Sequence, residues 1–407
     1  MSRPRILAYA YDIAPDRGSE PGAGWALVRI LARFADVTVI TRSAPPHEDG
    51  RYNNWRELMP EEGRVDFVLV PLPGDPPWTG ADQRLSWWSR QPYIGYLAWQ
   101  ICAGRVARRL HEETPYDLTW HVSWANGWLG STLSSVDAPF VLGPIGGGVG
   151  PPWRLALGLG SRGLLYEIVR ALTRTVARAA NPLAHRSWRR ARLILVQNRE
   201  TLDWLPAAAR RRARIFHNAT IIDSPKRRRT SHREHPPSAL FAGRLVAWKG
   251  CRLAVRAIAG MPRWRLIVCG DGPDIGATRA LADELGVADR VEFLGWQDRE
   301  EVLRIMAEDV DVFLFPSLHD EAGLVVAEAA AIGLPIVCLD RGGPPTIAGW
   351  GVLPSDEPQT LEGLRTGLAA ALDSVPPPSA LDPASRGKAL LSILREAGLI
   401  DDANQLS

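Results

Sequence analysis

Cysteine is scarce in this chain, with Cys102, Cys251, Cys269 and Cys338 spread widely through 407 residues. No two of them share the short spacing of a zinc site, and a secreted disulfide scaffold needs denser pairs. Both classes are therefore excluded, and a cytoplasmic location is the default expectation. Long apolar runs are also missing, and the longest is too short to cross a bilayer. The segment from Pro4 to Asp12 has a basic flank like a leader, but its apolar run is short and charge follows it, so it reads as a first strand. A dominant charge is absent as well. The formal net charge of +3 is too small for this length to imply general affinity for nucleic acid. What remains is a globular composition, 46% hydrophobic and 23% charged, long enough for about two domains.

Short apolar runs recur along the chain with helical stretches between most of them. In the first half they fall at Ile6 to Tyr11, Val37 to Thr41, Val65 to Val70, Leu118 to Val122, Phe140 to Leu142, Leu193 to Val196 and Ile215 to Phe216. In the second half they fall at Ala239 to Ala242, Arg265 to Cys269, Val291 to Leu294, Val312 to Phe315 and Ile336 to Leu339. Alternation of strand and helix implies parallel sheets covered on both faces. The expected fold is α/β, with two doubly wound, Rossmann-like domains facing a central cleft. A basic, Pro-containing stretch without periodicity separates the halves. The boundaries read as 1–220, a linker at 221–237, 238–375, and a tail at 376–407.

The stretch Asp320 to Ala329 carries the most chemical information. It sets two carboxylates, Asp320 and Glu328, on either side of a helix start that follows a buried strand. A helix start attracts anions through its free amides and dipole. Glu328, one turn inside the helix, can accept hydrogen bonds from hydroxyls. The plain alternative is that Asp320 merely caps the helix. The segments after the other second-half strands shift the balance toward a ligand. They are Gly243-Arg244 with Lys249-Gly250, then Gly270-Asp271-Gly272-Pro273, then Gly295-Trp296, and Asp340 to Pro344. Parallel sheets bind ligands beyond the carboxyl ends of their strands. There, Arg244 and Lys249 can neutralise a diphosphate, Gly270 and Gly272 let backbone approach it, and Glu328 can hold a ribose. The pattern points to a nucleotide-diphosphate site.

These segments resemble those of the family 4 glycosyltransferases, retaining enzymes with the two-domain GT-B fold. Gly243 to Gly250 is similar to the family's GR-L-x-x-x-KG segment, Gly270 to Pro273 to its G-x-GP turn, and Asp320 to Glu328 to its acidic-x7-acidic element. Gly18 to Trp25, His121 to Ser123 and Gly143 to Gly148 are similar to a subset of the family. The resemblance covers roughly residues 5–354. It implies that Arg244 and Lys249 bind the donor diphosphate, with Gly22 and Gly24 in a loop closing over it from the other domain. Glu328 would hold the ribose. Asp320, with Glu321 and the amides of Ala322, Gly323 and Leu324, would meet the donor sugar and its phosphate, and His121 would face the transferring sugar. Trp296 completes the donor side, and the N-terminal domain would bind the acceptor. The chain departs from the family in having Asp320 where Glu is commoner, in Glu321 and Ala322, and in a tail broken by Pro376-Pro377-Pro378. Lys388 to Gly398 is the candidate for a helix crossing back to the first domain.

The expectation is a transferase moving a sugar from a nucleotide-diphosphate donor to a hydroxyl of a glycan, lipid-linked or small-molecule acceptor. Assembly of cell-envelope polysaccharide is the broad setting. The alternatives are a sugar-nucleotide-binding scaffold without turnover and a GT-B sugar-nucleotide epimerase. No cofactor is expected beyond the donor as co-substrate. No metal is expected either, because Asp309-Val310-Asp311 precedes its strand and so lies on the order of 15–20 Å from the loop at the other end. Arginines around Trp188 and near Trp99, with the run Lys226 to Arg229 and Arg233, suggest a peripheral contact with the inner face of a membrane. They equally suit a solvated helix face over a core.

Overall fold

The computed structural model describes residues 3–14, 19–42, 64–72, 92–124, 126–151, 153–156, 159–228, 235–348, 352–353 and 360–400. Gly18, Trp87, Trp88, Arg229 and Arg233 lie outside them.

The apolar runs become the strands of two parallel sheets. In the first domain these are β1 (Arg5–Ala10), β2 (Asp36–Thr41), β3 (Val65–Leu69), β4 (Leu118–Ser123), β5 (Phe140–Ile145), β6 (Ala191–Val196) and β7 (Ala213–Ile215). They lie in the order β3-β2-β1-β4-β5-β6-β7. The second domain has β8 (Ser238–Ala242), β9 (Arg265–Cys269), β10 (Val291–Gly295), β11 (Val312–Phe315), β12 (Ile336–Leu339) and β13 (Val352–Leu353), in the order β10-β9-β8-β11-β12-β13. Among the described residues the sequence reading missed only β13, which is two residues long and carries no periodicity. Strands β1, β4, β8 and β11 are buried almost throughout, as sheets covered on both faces require. This is the GT-B architecture.

Helices α1 (Ser19–Ala32), α2 (Pro92–Glu113), α3 (Gly160–Ala180), α4 (Pro182–Arg190) and α5 (Arg199–Trp204) belong to the first half of the chain. The second half adds α6 (Cys251–Ala259), α7 (Ile275–Glu284), α8 (Arg299–Glu308), α9 (Leu324–Ile332), α10 (Pro344–Ala348), α11 (Thr360–Ala371) and α12 (Pro383–Glu396). Two segments pack outside their own half. Leu155 and Leu159, just before α3, join the core of the second domain. Conversely, α12 seats Leu390, Leu391 and Leu394 in the first domain's core beside Trp25, Val28 and Leu31. Asp382 caps α12, its Oδ1 accepting from the amides of Ala384 and Ser385 at 3.0 and 2.9 Å. Arg386 fixes the helix to the first domain by lying 3.9 Å over the Phe216 ring and donating to the His217 carbonyl.

Candidate functional site

Each sheet reverses its strand order once, between β1 and β4 in the first and between β8 and β11 in the second. Such a reversal splays the following loops apart and opens a crevice for ligands. Arg244 and Lys249 follow β8, whereas Asp320 follows β11, so the second crevice collects both cations and the first acid of the motif. Arg244 is exposed and has no ion-pair partner among the described residues. Lys249 Nζ pairs with Asp320 Oδ2 and lies 5.2 Å from the centre of the Phe315 ring. The other oxygen of Asp320 accepts from the Gly323 amide at 3.2 Å, so this carboxylate holds its turn as well as the lysine.

The glycines after β9 make the crevice narrow. Gly270 and Gly272 have φ of 139° and 155°, and a Cβ on them would sit 2.0 Å from the Gly243 carbonyl oxygen and 2.3 Å from that of Leu245. No other residue fits this turn against the arginine-bearing loop. The two loops are further joined where the Leu245 amide donates to the Asp271 carbonyl at 2.8 Å. Trp296, after β10, is 74% exposed. Ala322, Gly323 and Leu324 form the turn into α9. Glu328, one turn inside it, is paired with Arg299, Nε to Oε1 at 2.6 Å. Burial raises the Glu328 carboxyl above its usual range, and Arg299 opposes the shift.

The first domain presents His121 at the end of β4. Its ring is buried, with Nε2 2.8 Å from the Tyr96 hydroxyl and 3.2 Å from the Ser123 carbonyl, while Nδ1 has no partner. Burial pushes its pKa down to about 4, so the imidazole is neutral at pH 7. Gly22 and Gly24 do not sit in a loop: from Ser19 onward the chain is helical. Gly24 packs α1 onto the end of β4, where a Cβ would lie 3.3 Å from both the Ser123 Cβ and the Asp12 carbonyl oxygen. No hydrogen bond or ion pair among the described residues joins His121 to the second-domain set.

At the domain junction the sequence reading named Glu321 for the donor side and did not name its partners. The side chain of Glu321 turns to the first domain, accepting from Asn198 Nδ2 and Thr201 Oγ1, both at 3.2 Å, and from the Val149 amide at 3.4 Å. Glu200 accepts from the Gly342 amide at 2.7 Å, and Arg341 donates to the Gly150 carbonyl at 2.7 Å. Beside Asp320, His319 Nδ1 lies 2.7 Å from Glu167 Oε1, whose other oxygen accepts from Arg170 at 3.0 Å. Burial would raise the Glu167 carboxyl, but His319 and Arg170 outweigh it and hold it below the usual range. Tyr166 stacks on Trp248 at 4.4 Å, closing the same side. Helix α3 therefore spans the junction, with one end on each domain.

Two other expectations meet the structure here. Asp311 is buried at the start of β11, away from the ligand end, and its Oδ2 accepts from the Ser238 amide and hydroxyl at 2.9 and 3.1 Å. Trp99 and Trp188 are 0% and 2% exposed. Both rings thus belong to the core, while Arg186, Arg189 and Arg190 beside Trp188 stay exposed.

Residues 223–360 match the family described as glycosyl transferases group 1. The chain is 38% identical over 117 residues to a D-inositol 3-phosphate glycosyltransferase of Mycobacterium marinum, covering 28% of this chain and 25% of that enzyme. The match thus spans about a quarter of the relative's length. Among solved structures, lipopolysaccharide outer core galactosyltransferase WaaB in its apo form superposes with a TM-score of 0.60 at 12% identity, over 96% of this chain and 99% of that one. Anabaena Alr3699/HepE, in complex with UDP and glucose, gives 0.51 at 17%, over 96% and 99%. These likenesses identify the fold, and the family match lies on the half that carries Arg244, Lys249, Asp320 and Glu328.

Proposed function

We propose that this chain is a retaining, metal-independent glycosyltransferase of the family 4 type, moving a sugar from a nucleoside-diphosphate donor to an acceptor hydroxyl. The observation that carries the reading is the crevice between β8 and β11. It gathers Arg244, unpaired among the described residues, with Lys249 and Asp320, and Glu328 lies one turn into the adjoining helix. The group 1 match over these residues supports it, as does a UDP-bound neighbour of the same fold.

In this reading Arg244 and Lys249 take the diphosphate, and Gly270 and Gly272 keep the backbone close to it. Glu328 holds the ribose, and Trp296 offers a face for the base. Asp320 and the turn Ala322 to Leu324 hold the sugar, with the unpartnered Nδ1 of His121 supplying a further polar contact. The bond from the sugar's anomeric carbon to the diphosphate oxygen breaks, and the cations stabilise the charge that develops there. The acceptor hydroxyl attacks on the same face and gives its proton to a departing phosphate oxygen. Glu321 acts at the domain junction through its side chain. Placement is in the cytoplasm, at the inner face of a membrane where the acceptor is held there, with a glycan, lipid-linked or small-molecule acceptor. No helix among the described residues is long and apolar enough to cross a membrane.

A mass-spectrometric screen of nucleotide sugars against the protein tests the reading. One donor class should bind. Arg244→Ala and Lys249→Ala should each weaken it roughly tenfold to hundredfold, the loss of a charge-assisted contact worth about 1.5–3 kcal/mol. Unchanged affinity in both folded variants would place the site elsewhere.

A further inference from the structure

Helix α3 carries its amphipathic pattern the wrong way round for a solvated surface helix. Its arginines 170 and 174 turn inward and donate to the carbonyls of Val149 and Gly148 at 2.9 and 2.6 Å. Its apolar side chains turn outward: Leu165, Ile168, Val169, Leu172 and Val176 are 61, 45, 54, 64 and 54% exposed. Their spacing follows the helical repeat, so they form one stripe along a helix about 30 Å long. A second stripe runs along the start of α2, where Tyr93, Ile94, Leu97 and Ile101 are also exposed. The two meet at Trp128, whose ring lies 5.8 Å from that of Tyr93 and whose carbonyl accepts from Asn181, just past α3, at 2.8 Å. Exposed apolar stripes on two helices that approach each other at one residue mark a partner.

The charge around the face identifies that partner. From residue 153 to 199 the chain has ten arginines and a single acid, Glu167. The Glu167 side chain is fully buried between Arg170 and His319. Arg162 and Arg178 on α3, and Arg186, Arg189 and Arg190 on α4, are exposed. A second copy of this face would oppose like charges, whereas an anionic lipid surface offers an apolar interior beneath a negative rim. We infer that the joined stripes of α3 and α2 dock this protein on an anionic lipid surface. The face adjoins the candidate site, because Tyr166 on α3 stacks on Trp248, the residue before Lys249. The docking rests on the exposed faces alone. Its use, presenting a membrane-held acceptor to the cleft, rests on the proposed transfer reaction.

Flotation of the full chain with vesicles is the test. At low salt it should float with phosphatidylcholine vesicles containing phosphatidylglycerol and stay behind with phosphatidylcholine alone. The double variant Ile168→Glu/Leu172→Glu should lose about tenfold or more of this partitioning, while Ile168→Met/Leu172→Met keeps it. Thermal unfolding and nucleoside-diphosphate binding of the same samples should stay unchanged in both variants. The docking is overturned if the wild type does not float with anionic vesicles, or if the glutamate variant floats equally well. A dimer seen by light scattering that the glutamate variant abolishes, without vesicle binding, would assign the face to a second copy and also overturn it. Absent nucleotide binding with intact flotation would instead count against the proposed function alone.

Discussion

Both domains open a crevice beside their first strand, but they furnish it in opposite ways. The second sets charged side chains there, part-exposed and already paired or free to pair: Lys249 with Asp320, Arg299 with Glu328, and Arg244 without an ion pair among the described residues. The first buries its polar groups in the packing: His121 is 1% exposed beside the Tyr96 hydroxyl, and Glu20 accepts from the Trp124 amide at 2.8 Å. Polar groups of the second kind are recruited by folding, since an unsatisfied buried group costs stability. The difference separates two kinds of consequence. Substitutions in the second crevice should alter ligand binding, and those in the first should alter folding.

The largest expected effect comes from the helix that completes the first domain. Leu390→Ala removes a fully buried side chain and should cost about 2–5 kcal/mol, read as a lower urea midpoint with the second crevice unaffected in isolated binding measurements. A shift below about 0.5 kcal/mol would break the comparison, by showing that α12 adds nothing to the first core.

Acid should also separate the two crevices. Folded His121 titrates near 4 and the unfolded chain near 6.5, so above pH 6.5 both forms are neutral and the group contributes nothing. As pH falls from 6.5 toward 4, only the unfolded chain takes up the proton, and stability drops by something on the order of 3 kcal/mol. Urea midpoints at pH 7 and 4.5 for the wild type and His121→Gln check this. The variant should lose less over the interval, and equal losses would mean that the imidazole is not held neutral.

The smallest effects on stability belong to the second crevice. Asp320→Asn and Glu328→Gln break part-exposed pairs and should each change stability by about 1 kcal/mol or less. They should differ in function. Glu328→Gln weakens the free nucleoside diphosphate, which still carries ribose. Asp320→Asn frees Lys249, leaves that product bound at least as well, and lowers turnover. Product-inhibition constants measured beside turnover decide it, and equal weakening by both variants would merge their assigned roles.

The same contrast explains what the amino-acid sequence could reveal. Strands β8 to β12 and their loops were legible because each apolar run ends in residues whose chemistry is local: a glycine turn, a cation, an acid. Trp188 misled because adjacency along a chain does not give direction. On α4 the buried positions are Ala184, Ser187 and Trp188, while the arginines between and after them point outward. Glu321 was assigned to the donor from its place between two motif residues, yet its side-chain partners Asn198 and Thr201 lie more than a hundred residues away. Asn198 carried one local sign, being the cap of α5, with its Oδ1 accepting from the Thr201 amide at 2.8 Å. The outward stripe of α3 shows only in the structure, where Arg170 and Arg174 take the inner side.

The seating of α12 also reverses order in time. Residues 390–394 follow the entire second domain along the chain, yet they close the core of the first. During synthesis the second domain can therefore complete its packing while the first still waits for its last helix, with the apolar side of α1 uncovered. A fragment cut at the linker would inherit that uncovered surface permanently. The two halves are thus not independently made pieces, and the first domain is complete only once α12 has been delivered.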